Sequence, residues 1–204
     1  MLPGRESRIW EQPYRDLEML AYDLCEALAP AIDRPFAIFG HSMGALIAFA
    51  LARQLRRETG LAPLHLFASA CRAPQSPDLD PPLHQLPEVE FLARLRATNY
   101  GPDEIYNHPQ FLEMLLPTVR ADYCLCENYK YRSERPLECP ITALGGLDDR
   151  RVTAADLDAW SVQTVSGFSR VMFPGGHLFL HHHESALAEC IVTELDKTFV
   201  TAKE

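Results

Sequence analysis

The sequence has no long apolar run, no excess of positive charge and no paired-cysteine motif, and each absence excludes a class of protein. The longest uninterrupted apolar stretch in the 204 residues runs from Ala45 to Ala52, far short of the roughly 18 residues that span a bilayer. No membrane partner is expected. Lys and Arg total 19 against 28 Asp and Glu, a formal net charge of −9, which argues against nucleic acid as a partner. The six cysteines are Cys25, Cys71, Cys124, Cys126, Cys139 and Cys190, and none forms a C-x-x-C pair. Such spacings specify neither a disulfide framework nor a metal site. The thiols are expected to pack as small hydrophobes in a reducing compartment, which points to the cytoplasm. No basic segment followed by an apolar one opens the chain, so no secretory signal is expected.

Internal repeats and Gly/Ser linkers are absent too, and a single domain over residues 1–204 is expected. Hydrophobic residues make up 47% and charged residues 23%, the balance of an ordinary globular protein. Strand and helix signals alternate along it. Phe36-Ala37-Ile38-Phe39 is a short apolar run that ends at Gly40 and reads as a buried strand. Ser42 to about Glu58 reads as a helix, with Ala45, Leu46, Phe49, Ala52 and Leu55 on its apolar side and Gly60 as its stop. Further strands are expected at Leu64–Ser69, Pro140–Leu144 and Arg170–Phe173, with helices around Ala154–Trp160 and from about Glu184 to Phe199. This alternation implies an α/β fold, a parallel sheet covered by helices on both faces.

Residues 74–136 break the rhythm. Eight of the 16 prolines fall between Pro74 and Pro117, yet Phe91-Leu92-Leu95 and Phe111-Leu112-Leu115-Leu116 keep helical spacing. A proline-punctuated helical block between two sheet strands reads as an insertion, a lid or binding wall. Phe91, Tyr100, Phe111 and Leu115 either shape a pocket under it or pack on the sheet.

Gly40-His41-Ser42-Met43-Gly44 is a G-x-S-x-G string set between an expected strand and an expected helix. That context reads as a nucleophile elbow, a tight turn that holds Ser42 in a strained conformation, with both glycines removing Cβ atoms where the backbone crowds. The Met43 N–H, at the start of the helix, is positioned as an oxyanion donor. A serine hydroxyl needs a base. Of eight histidines, His177 stands out, because Phe173-Pro174-Gly175-Gly176-His177 places it in a glycine turn just after a strand. His41 adjoins the nucleophile, and its side chain is expected to point away. His181, His182 and His183 form a run that no other ligand spacing supports as a metal tract, so no metal is expected. An orienting acid comes from Gly145-Gly146-Leu147-Asp148-Asp149, where either aspartate serves or merely caps the following helix. The order Ser, Asp, His matches that of α/β-hydrolases.

Leu2-Pro3-Gly4-Arg5-Glu6-Ser7-Arg8, Phe39 to Ala45, Leu116-Pro117-Thr118-Val119-Arg120-Ala121-Asp122-Tyr123 and Pro174-Gly175-Gly176-His177-Leu178-Phe179-Leu180 together resemble the type II thioesterases of nonribosomal peptide and polyketide assembly lines, relatives of the medium-chain fatty acyl thioesterases. The resemblance implies the α/β-hydrolase fold with a lid. It places the triad acid on Asp149, by the family's G-x-x-D pattern from Gly146, with Asp148 as the fallback. It implies that Ser42, deprotonated by His177, attacks an acyl thioester on the phosphopantetheine arm of a carrier protein, that Met43 helps hold the oxyanion, and that Asp149 stabilises the imidazolium. No cofactor belongs to the chain itself, and a monomer is expected. Acidic carriers would meet local basic pairs, Arg94 with Arg96 or Arg132 with Arg135.

Family members carry more chain before the L-P-G-R-E loop, supplying first core strands and a second oxyanion N–H. By that comparison the first core strands are missing here, leaving the Phe36–Phe39 strand without a neighbour on one side. A fragment or misplaced start, a genuine short form and a gap filled by a partner are the readings considered. Function alternatives are another serine esterase, or an inactive carrier-binding module.

Overall fold

A computed structural model describes residues 1–76, 81–97 and 107–201. Its centre is a four-stranded, all-parallel sheet in the order β1 (Ile38–His41), β2 (Leu66–Ser69), β3 (Ile141–Gly146), β4 (Phe168–Phe173). Every residue of β2 and β3 is buried, whereas β1 and β4 are only partly so, as expected of two central strands covered on both faces and two flanking ones. Among the described residues β1 borders β2 alone, and Phe39 is 41% exposed.

β1 and β2 start two residues later than expected. Phe36 and Leu64 lie just outside the ladder and are joined by one bond from the Leu64 N–H to the Phe36 carbonyl. β4, in contrast, starts two residues earlier than the apolar run suggests, because Phe168 and Ser169 pair with Ile141 and Thr142.

The period-two alternation of the strands sends side chains to two cores. On one face Leu66, Ala68, Ile141 and Ala143 pack against Ala45, Phe49 and Ala52 of α2 (Met43–Thr59), and against Leu157 and Trp160. On the other, Phe67, Leu144 and Phe173 pack with Phe179 and with Leu187 of α6 (Glu184–Thr201). A buried polar chain crosses the same face: His65 Nε2 is hydrogen-bonded to Thr142 Oγ1 (2.8 Å), its Nδ1 to Thr198 Oγ1 (3.0 Å), and Thr142 Oγ1 to Ser169 Oγ (2.8 Å).

Helix ends follow local chemistry. α2 stops at Gly60, whose positive φ of 73° lets its N–H reach the Arg56 carbonyl. α5 (Ala154–Asp158) starts on a capping box between Thr153 and Asp156, and shorter 3₁₀ geometry continues it over Ala159–Gln163. The helix α1 (Leu17–Leu28) was not read from the sequence, although its signals are there. The Met19 N–H donates to Asp16 Oδ1 at 2.9 Å, an N-cap, and Leu17, Leu20, Ala21 and Cys25 recur at helical spacing and are buried. Cys25 packs against Leu51 and Leu55 of α2.

The chain divides into two compact units. The sheet unit is Leu20–Pro77 with Tyr131–Glu204, and the second, helical unit is Met1–Met19 with Asp78–Lys130. The helical unit carries α3 (Glu88–Ala97) and α4 (Pro109–Glu127), the latter running on through Pro117. Its core is Leu83, Phe91 and Leu95 with Leu112, Leu116 and Tyr123 around them. Phe91 is fully buried within it under the Arg120 guanidinium, 4.3 Å from its ring centre. Of the four residues expected to shape a pocket or pack on the sheet, Phe91 packs instead in the helical unit's own core, Phe111 is 54% exposed, Leu115 is half-buried, and Tyr100 lies outside the described residues. The Leu2–Arg8 loop belongs to this unit: the Thr118 hydroxyl donates to the Gly4 carbonyl (2.8 Å) and Arg5 pairs with Asp122 (2.5 Å).

Candidate active site

Ser42 sits between β1 and α2 with φ 55° and ψ −121°, a conformation that costs a non-glycine residue energy and is kept only where the surroundings enforce it. Two features enforce it here. The Ser42 N–H donates to the Ser69 carbonyl at the end of β2 (2.7 Å). Gly40 lets α2 come down on the strand, since a Cβ on Gly40 would lie 2.1 Å from the Gly44 carbonyl oxygen. The expectation that both motif glycines relieve crowding is corrected at Gly44, where a Cβ would meet nothing within 4 Å. Met43 opens α2, and its N–H is among those that a helix start leaves without an intrahelical acceptor.

Two loops at the carboxyl ends of β3 and β4 are zipped together by backbone. The Leu147 N–H donates to the Phe173 carbonyl (2.8 Å) and the Asp148 N–H to the Gly175 carbonyl (2.9 Å). Gly146 permits this approach, because a Cβ there would lie 2.3 Å from the Gly176 oxygen. The result brings Ser42, His177 and Asp149 into one line. His177 Nε2 is 2.9 Å from Ser42 Oγ, and His177 Nδ1 is 2.8 Å from Asp149 Oδ2. Asp149 is buried, whereas Asp148 is exposed.

Electrostatics suit the carboxylate. Burial alone pushes Asp149 up, but the His177 hydrogen bond and the N–H groups of Arg151 (2.8 Å) and Val152 (3.3 Å) on Oδ1 outweigh it and hold the carboxyl below its usual range. The group is an anion at neutral pH, able to fix the imidazole tautomer whose Nε2 accepts the Ser42 proton. Two of the thiols are poor nucleophiles: desolvation pushes the half-buried Cys71 up to about 12 and the buried Cys139 up to about 11, so neither is a thiolate near neutral pH.

His41 does not leave the site. Its ring centre is 5.4 Å from that of His177, and its Nδ1 is hydrogen-bonded to Ser69 Oγ at 2.9 Å. The motif marked His41 only as the neighbour of the nucleophile; the pairing of His41 with Ser69 across β1 and β2 is what brings the ring there. His183, from the histidine run, packs its ring 6.3 Å from that of Phe173.

Arg94 and Arg96 are exposed in the last turn of α3. Arg135 pairs with Glu138 (2.9 Å), and the Arg132 carbonyl accepts from Arg53.

Set beside known proteins, residues 1–195 match the thioesterase domain. The linear gramicidin dehydrogenase LgrE of Brevibacillus parabrevis is 45% identical over 202 residues, 98% of this chain and 77% of LgrE. The gramicidin S biosynthesis protein GrsT of Aneurinibacillus migulanus is 42% identical over 194 residues, 95% of this chain and 76% of GrsT. Among solved structures, the type II thioesterase BorB from the borrelidin biosynthetic cluster superposes with a TM-score of 0.83 at 37% identity, covering 96% of this chain and 77% of BorB. The name of LgrE denotes a redox enzyme, whereas a serine hydrogen-bonded to a histidine and a carboxylate is acyl-transfer chemistry. With the domain match spanning nearly its whole length and relatives of this similarity, the chain belongs to the thioesterase domain family, enzymes of the α/β-hydrolase fold that hydrolyse thioesters.

Proposed function

We propose that Ser42, His177 and Asp149 form the catalytic triad of a type II thioesterase, which hydrolyses acyl groups from the phosphopantetheine arm of carrier proteins and so clears stalled or wrongly loaded assembly lines. The observation that carries this reading is the unbroken hydrogen-bond line from Ser42 Oγ through His177 to Asp149, 2.9 and 2.8 Å. His177 Nε2 takes the Ser42 proton as Oγ attacks the thioester carbonyl, and the Met43 N–H receives the developing oxyanion. Collapse of the tetrahedral intermediate breaks the C–S bond, and His177 returns the proton to the departing thiolate. Water, deprotonated by His177, then attacks the acyl-serine ester. The acid leaves and Ser42 regains its proton. The insertion at about residues 74–136 is read as a lid, and the partner as an acyl or peptidyl carrier protein in the cytoplasm.

The test compares the full chain on acyl-carrier thioesters and on simple aryl esters, with Ser42→Ala as control and a fluorophosphonate probe to report Ser42. Faster turnover of the carrier thioester and labelling lost in Ser42→Ala are expected. Preference for the aryl ester would make the chain a general esterase, and absence of labelling in folded protein would make it an inactive binding module.

A further inference from the structure

His177 stands in a loop that gives it little support of its own. The two residues before it are glycines, and Gly175 has a φ of 98°. Neither has a side chain to wedge the backbone, so the orientation of the His177 ring has to be imposed from outside. Asp149 does this at one edge, through the 2.8 Å bond to Nδ1. Ser42 Oγ meets the opposite edge, 2.9 Å from Nε2, and two bonds in the plane of the ring leave it free to rock about the line that joins them.

The flank is closed by His41. It lies at the end of β1, on the same face of the sheet as Ser69, its pairing partner on β2. Ser69 is fully buried and holds His41 Nδ1 at 2.9 Å. The His41 ring meets Phe179 edge-on at 5.9 Å and 66°, and Phe179 is itself stacked on Phe173 at 5.0 Å and 9°. Bonded at one nitrogen and clamped by an aromatic pair, the His41 ring faces that of His177 at 5.4 Å and 57°.

We propose that His41 is a positioning residue: its flat ring, anchored on Ser69 and Phe179, is the wall that holds the His177 imidazole in line between Ser42 and Asp149. The proposal rests on the reading of His177 as the base.

The chemistry of the wall suits that task. Burial lowers His41 to about 4, with repulsion from His177 and His181 adding to the effect, while Asp149 and the His177 backbone pull weakly the other way. His41 is therefore neutral near pH 7. When His177 takes the Ser42 proton, no second cation stands 5.4 Å from it to repel the imidazolium. A lysine or arginine in the same place would fill the space and repel the imidazolium.

The test uses the full chain with His41→Ala and His41→Phe, and His41→Leu if the alanine variant does not fold. Turnover of an acyl-coenzyme A thioester is measured beside the NMR signal of the His177 Nδ1 proton, which needs no substrate. For His41→Ala, kcat is expected to fall roughly tenfold or more with KM within about twofold, since misplacing a reacting group by about an ångström costs up to 10² in rate. The Nδ1 proton signal should broaden. His41→Phe restores the flat ring without the Ser69 bond, and should bring kcat back to within about threefold and sharpen the signal. A parental kcat and a sharp signal in His41→Ala or His41→Leu would overturn the proposal. So would His41→Phe being as impaired as His41→Ala. Failure of the underlying reading looks different: His177→Ala would then keep parental activity, whatever the His41 variants do.

Discussion

His177 Nδ1 meets Asp149 Oδ2 at 2.8 Å, while Asp148, one residue earlier, touches the same histidine loop only through its backbone N–H on the Gly175 carbonyl. Two chemically identical neighbours are thus assigned different work by the turn they share. Replacing Asp149 with Asn leaves the volume and removes the charge, and kcat is expected to fall by about 10²–10⁴. Asp148→Asn should stay within about twofold, because its side chain is exposed. Steady-state kinetics on one acyl thioester decide it, and equal losses in the two variants would contradict the assignment.

The contact between Gly146 and Gly176 joins the loop of Asp149 to the loop of His177. A methyl group at position 146 would lie 2.3 Å from the Gly176 oxygen and 2.4 Å from that of Gly175, so Gly146→Ala must push the loops apart. A loss of about 1–3 kcal/mol in unfolding free energy is expected, together with a fall in kcat larger than any change in KM. Gly44→Ala serves as the contrast, since a Cβ there meets nothing within 4 Å; urea unfolding of both variants checks the difference.

Acid sensitivity should begin above the carboxylate range. Burial lowers the proton affinities of both His41 and His65, whereas their unfolded counterparts titrate near the ordinary value of 6.5. From about pH 6.5 down to each folded value the unfolded chain therefore binds more protons, so stability declines as pH falls through that window and is level above it. Asp149 is held low instead, and its contribution is lost only below about pH 4. The urea midpoint at about pH 5 should lie below that at about pH 7.5, with a smaller drop in His65→Gln. An unchanged midpoint across that range would rule out the histidine contribution.

Glu134 gathers three cations. Arg53, whose side chain is only 5% exposed, pairs with it at 2.5 Å, Arg57 at 2.7 Å and Arg56 at 3.4 Å. Glu134→Gln would leave Arg53 charged, buried and unpaired. A cost of about 2–3 kcal/mol is expected, somewhat under the usual figure for breaking a buried pair because Glu134 itself is 29% exposed. Adding Arg53→Met should recover part of it, since Phe49 and Tyr131 already pack around that position. Chemical denaturation of the single and double variants measures the recovery.

Much of this protein is local enough to be read from the chain. The G-x-S-x-G elbow, the glycine turn before His177 and the alternation of buried strands with helices all depend on neighbouring residues, so backbone sterics and hydrophobic period reveal them. α1 is legible in the same way, from Asp16 and the spacing of Leu17, Leu20 and Cys25. Helix and strand ends drifted by a residue or two, since Phe36 and Phe168 differ in sheet pairing and not in propensity.

What only tertiary structure decided concerns groups distant in sequence. Asp149 and His177 are 28 residues apart and Ser42 and His177 135 apart, and their distances follow from strand order and two zipped loops. The same holds for which of Asp148 and Asp149 meets His177 through its side chain, for the burial of Phe91 inside the helical unit, and for the grouping of the Leu2–Arg8 loop with α4. His41 is the clearest instance. Its sequence neighbours mark it as an ordinary residue beside a nucleophile, and only the pairing of β1 with β2 and the return of the chain after β4 lay its ring against His177. Period and turn chemistry act over a few residues, whereas a side chain's partners across a sheet are set by packing of the whole chain.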